Sequence, residues 1–370
     1  MNILQVISSS RTSGAEKHMV VLSEGLVRLG HSVVAVCPPG GWLTEQLRDA
    51  GIPSVEMPMH GMDSPRAIFN LQKLARENHS DLIHTHLTRA TYLGYFAGVL
   101  AHVPVISTVH VLTRDFAYRH LPHGNHWFVA VSDYLRQAII SHGIPPGRVQ
   151  TVYNGTDFFD LLDGKLTVHD HITPAASLSV RAELGLPADA QLVGQFGRVD
   201  SFKGAPLLVH SIRSVVERCP RAYFVFIGEA MPGVQQALWE MASSEGMDDR
   251  LRFTGVRNDV PRLMKAMDVV TLPSLTEACS MAIIEAMAMG KPVVATRAGG
   301  NLELIMDQTT GVLVDRNPDN LADAVAMLLG NPETGKRMGL AGQERARTMF
   351  SSQAMSRNME RLYQGIVRAR

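Results

Sequence analysis

Short, mostly apolar runs rich in β-branched residues recur over the first 154 positions: "ILQVI", "SVVAVC", "DLIHTH", "PVISTVH", "WFVAVS" and "VQTVYN". Amphipathic stretches separate them. Runs of this kind predict buried parallel strands, and the stretches between them predict the crossover helices that parallel strands require. The rhythm breaks over "FFDLLDGKLTVHDHITPAASLSVRAELGLP" and resumes with "QLVGQFG", "AYFVFIG", "RLRFTG", "DVVTLP", "PVVAT" and "GVLV". Two Rossmann-like α/β units in series are the simplest reading.

The expected organisation is a first unit over residues 1–160, a linker over 161–187, a second unit over 188–350 and a terminal helix over 351–370. In "NPDNLADAVAMLLGN" an Asp or Asn cap precedes the periodic residues, and Gly330 marks the far end of a helix. Met355, Met359, Leu362, Tyr363 and Ile366 fall on one helical stripe that needs a surface to cover, and the first unit is the expected surface.

The length of 370 residues fits two cores better than one. Lys plus Arg and Asp plus Glu both number 35, so the formal net charge is zero, which argues against nucleic acid as a partner. The three cysteines, Cys37, Cys219 and Cys279, are widely spaced and form no CxxC, so a disulfide framework or structural zinc site is not expected. No signal peptide is evident and no apolar segment approaches the ~18 residues of a membrane span. The expected location is cytoplasmic, with peripheral contact at the inner membrane face left open.

Candidate chemistry lies where strands end. In "PSLTEACSMAIIEAMAMGKPVVAT", Glu277 and Glu285 stand eight positions apart among small and apolar residues. Pro273 ends a strand, Ser280 is a plausible N-cap, and Glu285 falls about one and a half turns into the helix. The amides near Met281 and Ala282 would then face the carboxyl ends of the strands, where a helix N-terminus favours phosphate. The two carboxylates suit hydroxyl pairs on either side of a diphosphate, such as a ribose diol and a sugar. Equally, Glu277 reads as a local cap and Glu285 as a solvated helix acid. "GQFGRVDSFKG" adds Arg198 and Lys203 on a loop flanked by Gly197 and Gly204, and both cations can reach one diphosphate.

The first strand is followed by "SSSRTSGAEKH", which has Gly14 as its only glycine and is therefore not a GxGxxG dinucleotide loop. Gly14 permits one close backbone approach, and a plain turn before a helix capped by Ser13 is as good a reading. His110 closes the strand "PVISTVH", and His84 and His86 alternate onto one strand face. Twelve of the 15 histidines lie in the first 142 residues, including His120, His123 and His126. These three lack a Cys or acid at ligand spacing, so no metal site is assigned.

The ordered set "SGAE", "TVH", "VAVSDYLRQ", "VYNGTD", "GRVDSFKG", "FIGE", "FTG" and the E-x7-E of Glu277 and Glu285 resembles the retaining glycosyltransferases of family 4, from Met1 to about Met349. The resemblance implies the GT-B fold: an N-terminal Rossmann-like domain for the acceptor, a C-terminal one for a nucleotide-sugar donor, and an active site between them. It implies that Arg198 and Lys203 hold the donor diphosphate, Glu285 takes the ribose hydroxyls and Glu277 contacts the donor sugar. The backbone at Ser280, Met281 and Ala282 would meet phosphate, Gly14 would let the first loop approach it, and His110 would contact the sugar near the reacting centre. Val256, after "FTG", falls where the family's base-contacting loop is expected. The family is typically metal-independent, so no cofactor is expected. The chain departs from the common pattern at Ser13 of "SGAE", at "EACS" in place of EGFG, and at "GEA" in place of GEG. These changes keep every charged group and bear on sugar specificity.

The resulting expectation is a hexosyltransferase of glycan or glycolipid biosynthesis, with a UDP-sugar favoured over a GDP-sugar. Its acceptor could be a sugar, a lipid-linked sugar or a small metabolite held by "MHGMDSPRA" and "HVLTRDFAYRHLPHGNHW". The alternatives are a GT-B nucleotide-sugar epimerase and a non-catalytic sugar-nucleotide binding subunit.

Overall fold

The computed structural model describes residues 1–111, 117–164 and 174–368. It divides into two compact units, one of residues 1–155 with 349–370 and one of residues 156–348. The chain leaves the first unit at Gly155, ahead of the segment expected as a linker. Residues 174–183 of that segment form a helix in the second unit, and 165–173 lie outside the described residues.

The first unit is a parallel seven-stranded sheet: β1 (Asn2–Ile7), β2 (Ser32–Cys37), β3 (Ser54–Glu56), β4 (Leu82–His86), β5 (Val105–Val109), β6 (His126–Ala130) and β7 (Val149–Thr151). Their order is β3-β2-β1-β4-β5-β6-β7, so the winding reverses between β1 and β4. That reversal opens a crevice beyond the carboxyl ends of these two strands, where doubly wound sheets place ligands. β3 was not foreseen. It is a three-residue edge strand with no fully buried position, so it carries no hydrophobic signal.

Helices cover both faces of this sheet. Ser64–Glu77 and Thr88–Ala101 pack Leu71, Ala90, Leu93 and Ala97 on one face. On the other, Gly14–Arg28 packs with the terminal helix Ser352–Arg368, whose Met355, Met359, Tyr363 and Ile366 are fully or nearly buried. Burying the side chains of Met355, Met359 and Ile366 stabilises by about 1.5–3 kcal/mol each. The helix therefore closes a core built by residues more than 300 positions earlier, such as Met19 and Leu26.

The second unit repeats the plan with β8 (Gln191–Phe196), β9 (Ala222–Ile227), β10 (Leu251–Gly255), β11 (Val269–Leu272), β12 (Val293–Thr296) and β13 (Val312–Val314), in the order β10-β9-β8-β11-β12-β13. Here the winding reverses between β8 and β11. The loops that follow those two strands, 197–204 and 273–280, are brought side by side although they lie far apart in sequence. In the helix Pro318–Gly330 the cap is Asn317, whose side chain accepts from the amides of Asp319 and Asn320, and Gly330 is the last helical residue rather than the one that follows.

Candidate active site

Two features lock the loops after β8 and β11 together. The amide of Leu275 donates to the carbonyl of Phe202 over 2.8 Å. Gly204 sits at φ +76°, and a Cβ there would meet the Pro273 carbonyl oxygen at 1.9 Å, so only glycine lets the loops approach this closely. Across this junction the Lys203 ammonium donates to Glu277 Oε1 at 2.6 Å. The same oxygen accepts from the Ser274 hydroxyl at 2.7 Å. Glu277 is buried, so its charge requires partners of this kind.

Asp200 organises the two cations. Its Oδ1 accepts the Lys203 amide at 2.7 Å, while Oδ2 lies 3.0 Å from an Arg198 guanidinium nitrogen. The Arg198 side chain remains 58 % exposed, which leaves most of its donors open to a ligand. A cavity of about 600 Å³ opens beside it, lined also by Asp200, Phe202, Met231 and Met241.

Ser280 caps the helix Met281–Ala288, its hydroxyl accepting from the Ile283 amide at 3.5 Å. The amides of Met281 and Ala282 belong to the first turn, where helix geometry supplies no intrahelical acceptor. Glu285 follows in the same helix and is buried, which rules out the solvated-acid reading. The loop before Ser280 is held from a third direction: the Gly300 amide donates to the Glu277 carbonyl at 2.9 Å. A Cβ on Gly300 would meet the Ala278 carbonyl oxygen at 1.9 Å.

Lys203 and Glu277 are thus joined directly, Arg198 joins them through Asp200, and Ser280–Ala282 and Glu285 follow Glu277 at and beyond the start of the helix Met281–Ala288. Val256 stands apart. It is 61 % exposed, just past the end of the edge strand β10, two strands from β8. Its loop is stiffened by Arg257, which pairs with Asp259 at 2.8 and 2.9 Å and with Glu183 at 2.6 Å.

In the first unit Gly14 opens the helix after β1 and is exposed. Ser13 occupies the N-cap position, but its hydroxyl donates to the Glu16 carboxylate instead of accepting a backbone amide. His110 follows β5 and is partly exposed. It belongs to an imidazole cluster formed with His18, on the helix after β1, and His86, the last residue of β4. His86 Nδ1 lies 3.3 Å from His110 Nε2, and the His18 and His110 rings meet edge to face at 5.0 Å. Leu87, at φ +72°, turns the chain sharply away just after His86.

Burial keeps these rings neutral. It lowers His18 to about 4 and, with the repulsion of neighbouring imidazoles, pushes His86 and His110 well below the usual histidine value. His84 is buried as well, held between the Thr108 and Tyr363 hydroxyls. His120, His123 and His126 do not converge in the same way. His126 is buried and bonded to Ser107 at 2.8 Å, whereas His120 is exposed and bonded by Arg119.

Sequence reading singled out neither Asp200 nor His18 and Asn154, whose side chains meet at 2.9 Å. Asp200 was discoverable, because it lies between the two cations of "GRVDSFKG". His18 stands four residues after Gly14, one helical turn on.

With this geometry in view, the comparisons are decisive. Residues 12–158 match a family model described as Glycosyltransferase Family 4, and residues 190–331 match one described as Glycosyl transferases group 1. A D-inositol 3-phosphate glycosyltransferase of Corynebacterium efficiens is 30 % identical over 308 residues, spanning 76 % of this chain and 70 % of the relative. The chain belongs to the family 4 glycosyltransferases. A second relative of the same name, from Salinispora arenicola, is 30 % identical over 81 % of this chain and 72 % of its own length. Solved structures support the GT-B fold of the enzyme. HepE of Anabaena in complex with UDP superposes with a TM-score of 0.85 at 23 % identity, over 99 % of this chain and 100 % of that one. WaaG, a glycosyltransferase involved in lipopolysaccharide biosynthesis, gives 0.72 at 15 %, over 98 % of this chain and 100 % of its own. No helix among the described residues is long and apolar enough to cross a membrane.

Proposed function

We propose that this glycosyltransferase moves a hexose, with retention, from a nucleoside diphosphate sugar to an acceptor hydroxyl without a metal ion. The observation that carries this reading is the Lys203–Glu277 pair, 2.6 Å apart at the junction of the loops after β8 and β11. A lysine and a carboxylate that neutralise each other form a divided receptor. An arriving diphosphate competes for the ammonium, and the released carboxylate then accepts sugar hydroxyls.

Arg198 adds a second cation, and the N-terminus of the helix Met281–Ala288 adds the equivalent of about half a positive charge. Together they stabilise the charge that builds on the leaving diphosphate, the main electrostatic demand of the reaction. Glu285 holds the ribose diol, Val256 borders the base and Gly14 allows the first loop to approach phosphate. His110, kept neutral by burial, offers a hydrogen bond to the sugar near the reacting carbon. The leaving diphosphate helps deprotonate the acceptor on the same face, which retains configuration.

A UDP-sugar is the favoured donor, because a related fold, HepE of Anabaena, is known in complex with UDP-glucose. A thermal-shift screen against UDP-, GDP- and ADP-sugars tests this, since a ligand that binds only the folded state raises the melting temperature. The active donor is then incubated with and without candidate acceptors, D-inositol 3-phosphate among them. A new sugar nucleotide formed without acceptor would mark an epimerase instead, and binding without turnover on any acceptor would mark a silent binding subunit.

A further inference from the structure

The imidazole cluster of the first unit has features that a sugar-contacting histidine alone does not require. Asn154 Oδ1 faces His18 Nδ1 at 2.9 Å and Gln5 Oε1 faces His86 Nε2 at 3.1 Å. A carboxamide oxygen can only accept, so with the carboxamides in this orientation, which leaves Gln5 Nε2 buried without a partner, each ring carries its proton on the nitrogen facing the oxygen. His18 Nε2 and His86 Nδ1 are therefore unprotonated, and His86 Nδ1 accepts from His110 Nε2 at 3.3 Å. His18 is fully buried, and its Nε2 has no hydrogen-bond partner. Leaving a buried acceptor unpaired costs about 1–3 kcal/mol, so the arrangement calls for a compensating ligand.

The three imidazoles converge. Ligand nitrogens of His18, His86 and His110 all lie within 4.8 Å of one another. A metal-bound histidine ordinarily donates its other N–H to a carbonyl or carboxylate, which fixes its tautomer and aim; Asn154 and Gln5 stand in that position. Neutral imidazoles are also the form that binds borderline metal ions.

We infer that His18, His86 and His110 form a binding site for a zinc-class divalent ion, which takes His110 away from the donor sugar and so inhibits the enzyme. Zn–N bonds of about 2.0–2.1 Å in tetrahedral geometry place nitrogens roughly 3.4 Å apart, so side-chain rotations of about 1.4 Å or less close the site. His110 Nε2, which donates to His86 Nδ1 when no ion is held, shifts its proton to Nδ1 and turns a lone pair inward. Three protein nitrogens leave a fourth position for water. Binding of the ion stands on the geometry alone, whereas the inhibition rests on the role given to His110 above.

The test uses the full chain, stripped with chelator and free of nucleotide. Co²⁺ is titrated while visible ligand-field absorption is followed, and Zn²⁺ is titrated by calorimetry. The expected result is one equivalent of Co²⁺ with the intense bands of a low-coordinate nitrogen site, displaced by Zn²⁺. Binding is lost in His18→Gln and His110→Gln, kept in the surface control His120→Gln, and weakened about tenfold in Asn154→Ala, which removes the orienting carbonyl. If His18→Gln does not fold, the partly exposed His110 supplies the deciding variant. No stoichiometric site in the wild type, or wild-type binding in His110→Gln, overturns the assignment. In a second arm, Zn²⁺ slows transfer or donor hydrolysis and EDTA restores it. Stoichiometric binding with no loss of turnover overturns the inhibitory role and leaves the site, while absence of any transferase activity counts against the proposed reaction only.

Discussion

Lys203 Nζ and Glu277 Oε1 stand 2.6 Å apart across 74 residues of sequence, and the pair is shielded, with the Lys203 side chain 27 % and the Glu277 side chain 8 % exposed. A charge pair this enclosed is costly to break from one side, because the remaining partner loses its only counter-ion in the pair.

The two halves of the pair should separate in kinetics. Lys203→Ala should weaken nucleoside diphosphate binding by roughly 10- to 100-fold, the scale of a lost charge-assisted hydrogen bond. Glu277→Ala should lower kcat more than nucleotide affinity, because the sugar is absent from the free nucleotide. Glu285→Ala should act oppositely and mainly weaken free nucleotide, since a ribose diol is present in both ground and transition states. Calorimetry with the nucleoside diphosphate and steady-state kinetics with the donor measure both quantities. Wild-type nucleotide affinity in Glu285→Ala would refute the ribose assignment.

Turnover should persist in excess EDTA. Arg198, Lys203 and the helix N-terminus at Ser280 supply positive charge to the diphosphate, and neither loop brings a carboxylate pair suited to Mg²⁺ or Mn²⁺. Activity abolished by EDTA and restored by Mn²⁺ or Mg²⁺ would sink the claim.

Stability should fall as the solution is acidified below neutrality. Burial lowers His18 from 6.5 to about 4 in the folded state, and His84, His86 and His110 shift the same way. The unfolded chain therefore binds more protons than the folded one over this window, and stability rises with pH there. The contribution is complete above pH ~6.5 and is lost progressively towards pH ~4. Thermal melts between pH 7.5 and 4.5, with chelator present, should show a declining midpoint, and His18→Gln should flatten the slope. A midpoint independent of pH would contradict the buried neutral cluster.

Tyr363→Phe should destabilise the first unit by about 1–3 kcal/mol, because the Tyr363 hydroxyl is bonded to buried His84 Nδ1 and its removal leaves that nitrogen unpaired. Urea denaturation followed by circular dichroism measures the change. Nucleotide affinity should stay near wild-type level, since apart from Gly14 the residues assigned to nucleotide binding belong to the second unit.

Sequence alone determined the strands whose runs are apolar, the cap at Ser280, an Asp or Asn cap at the start of "NPDNLADAVAMLLGN", and the cation-bearing loop at Arg198 and Lys203. Each of these is written in neighbouring residues. The apolar stripe from Met355 to Ile366 also announced a buried helix face, because helical period is local. Tertiary structure decided which groups meet. Glu277 finds Lys203 only because β11 lies beside β8, and His18, His86 and His110 converge only because β1, β4 and β5 are adjacent. Such contacts depend on strand order, a property of the whole sheet that no window of residues encodes. β3 stayed hidden because its three residues carry no apolar run, and the fate of the Ser13 hydroxyl because Glu16, three residues on, competes for the role of partner to the helix start. Burial settled the rest. The identity of a histidine or a glutamate says what it can bond, but its surroundings decide whether it is a neutral ligand, a paired charge or a solvated one.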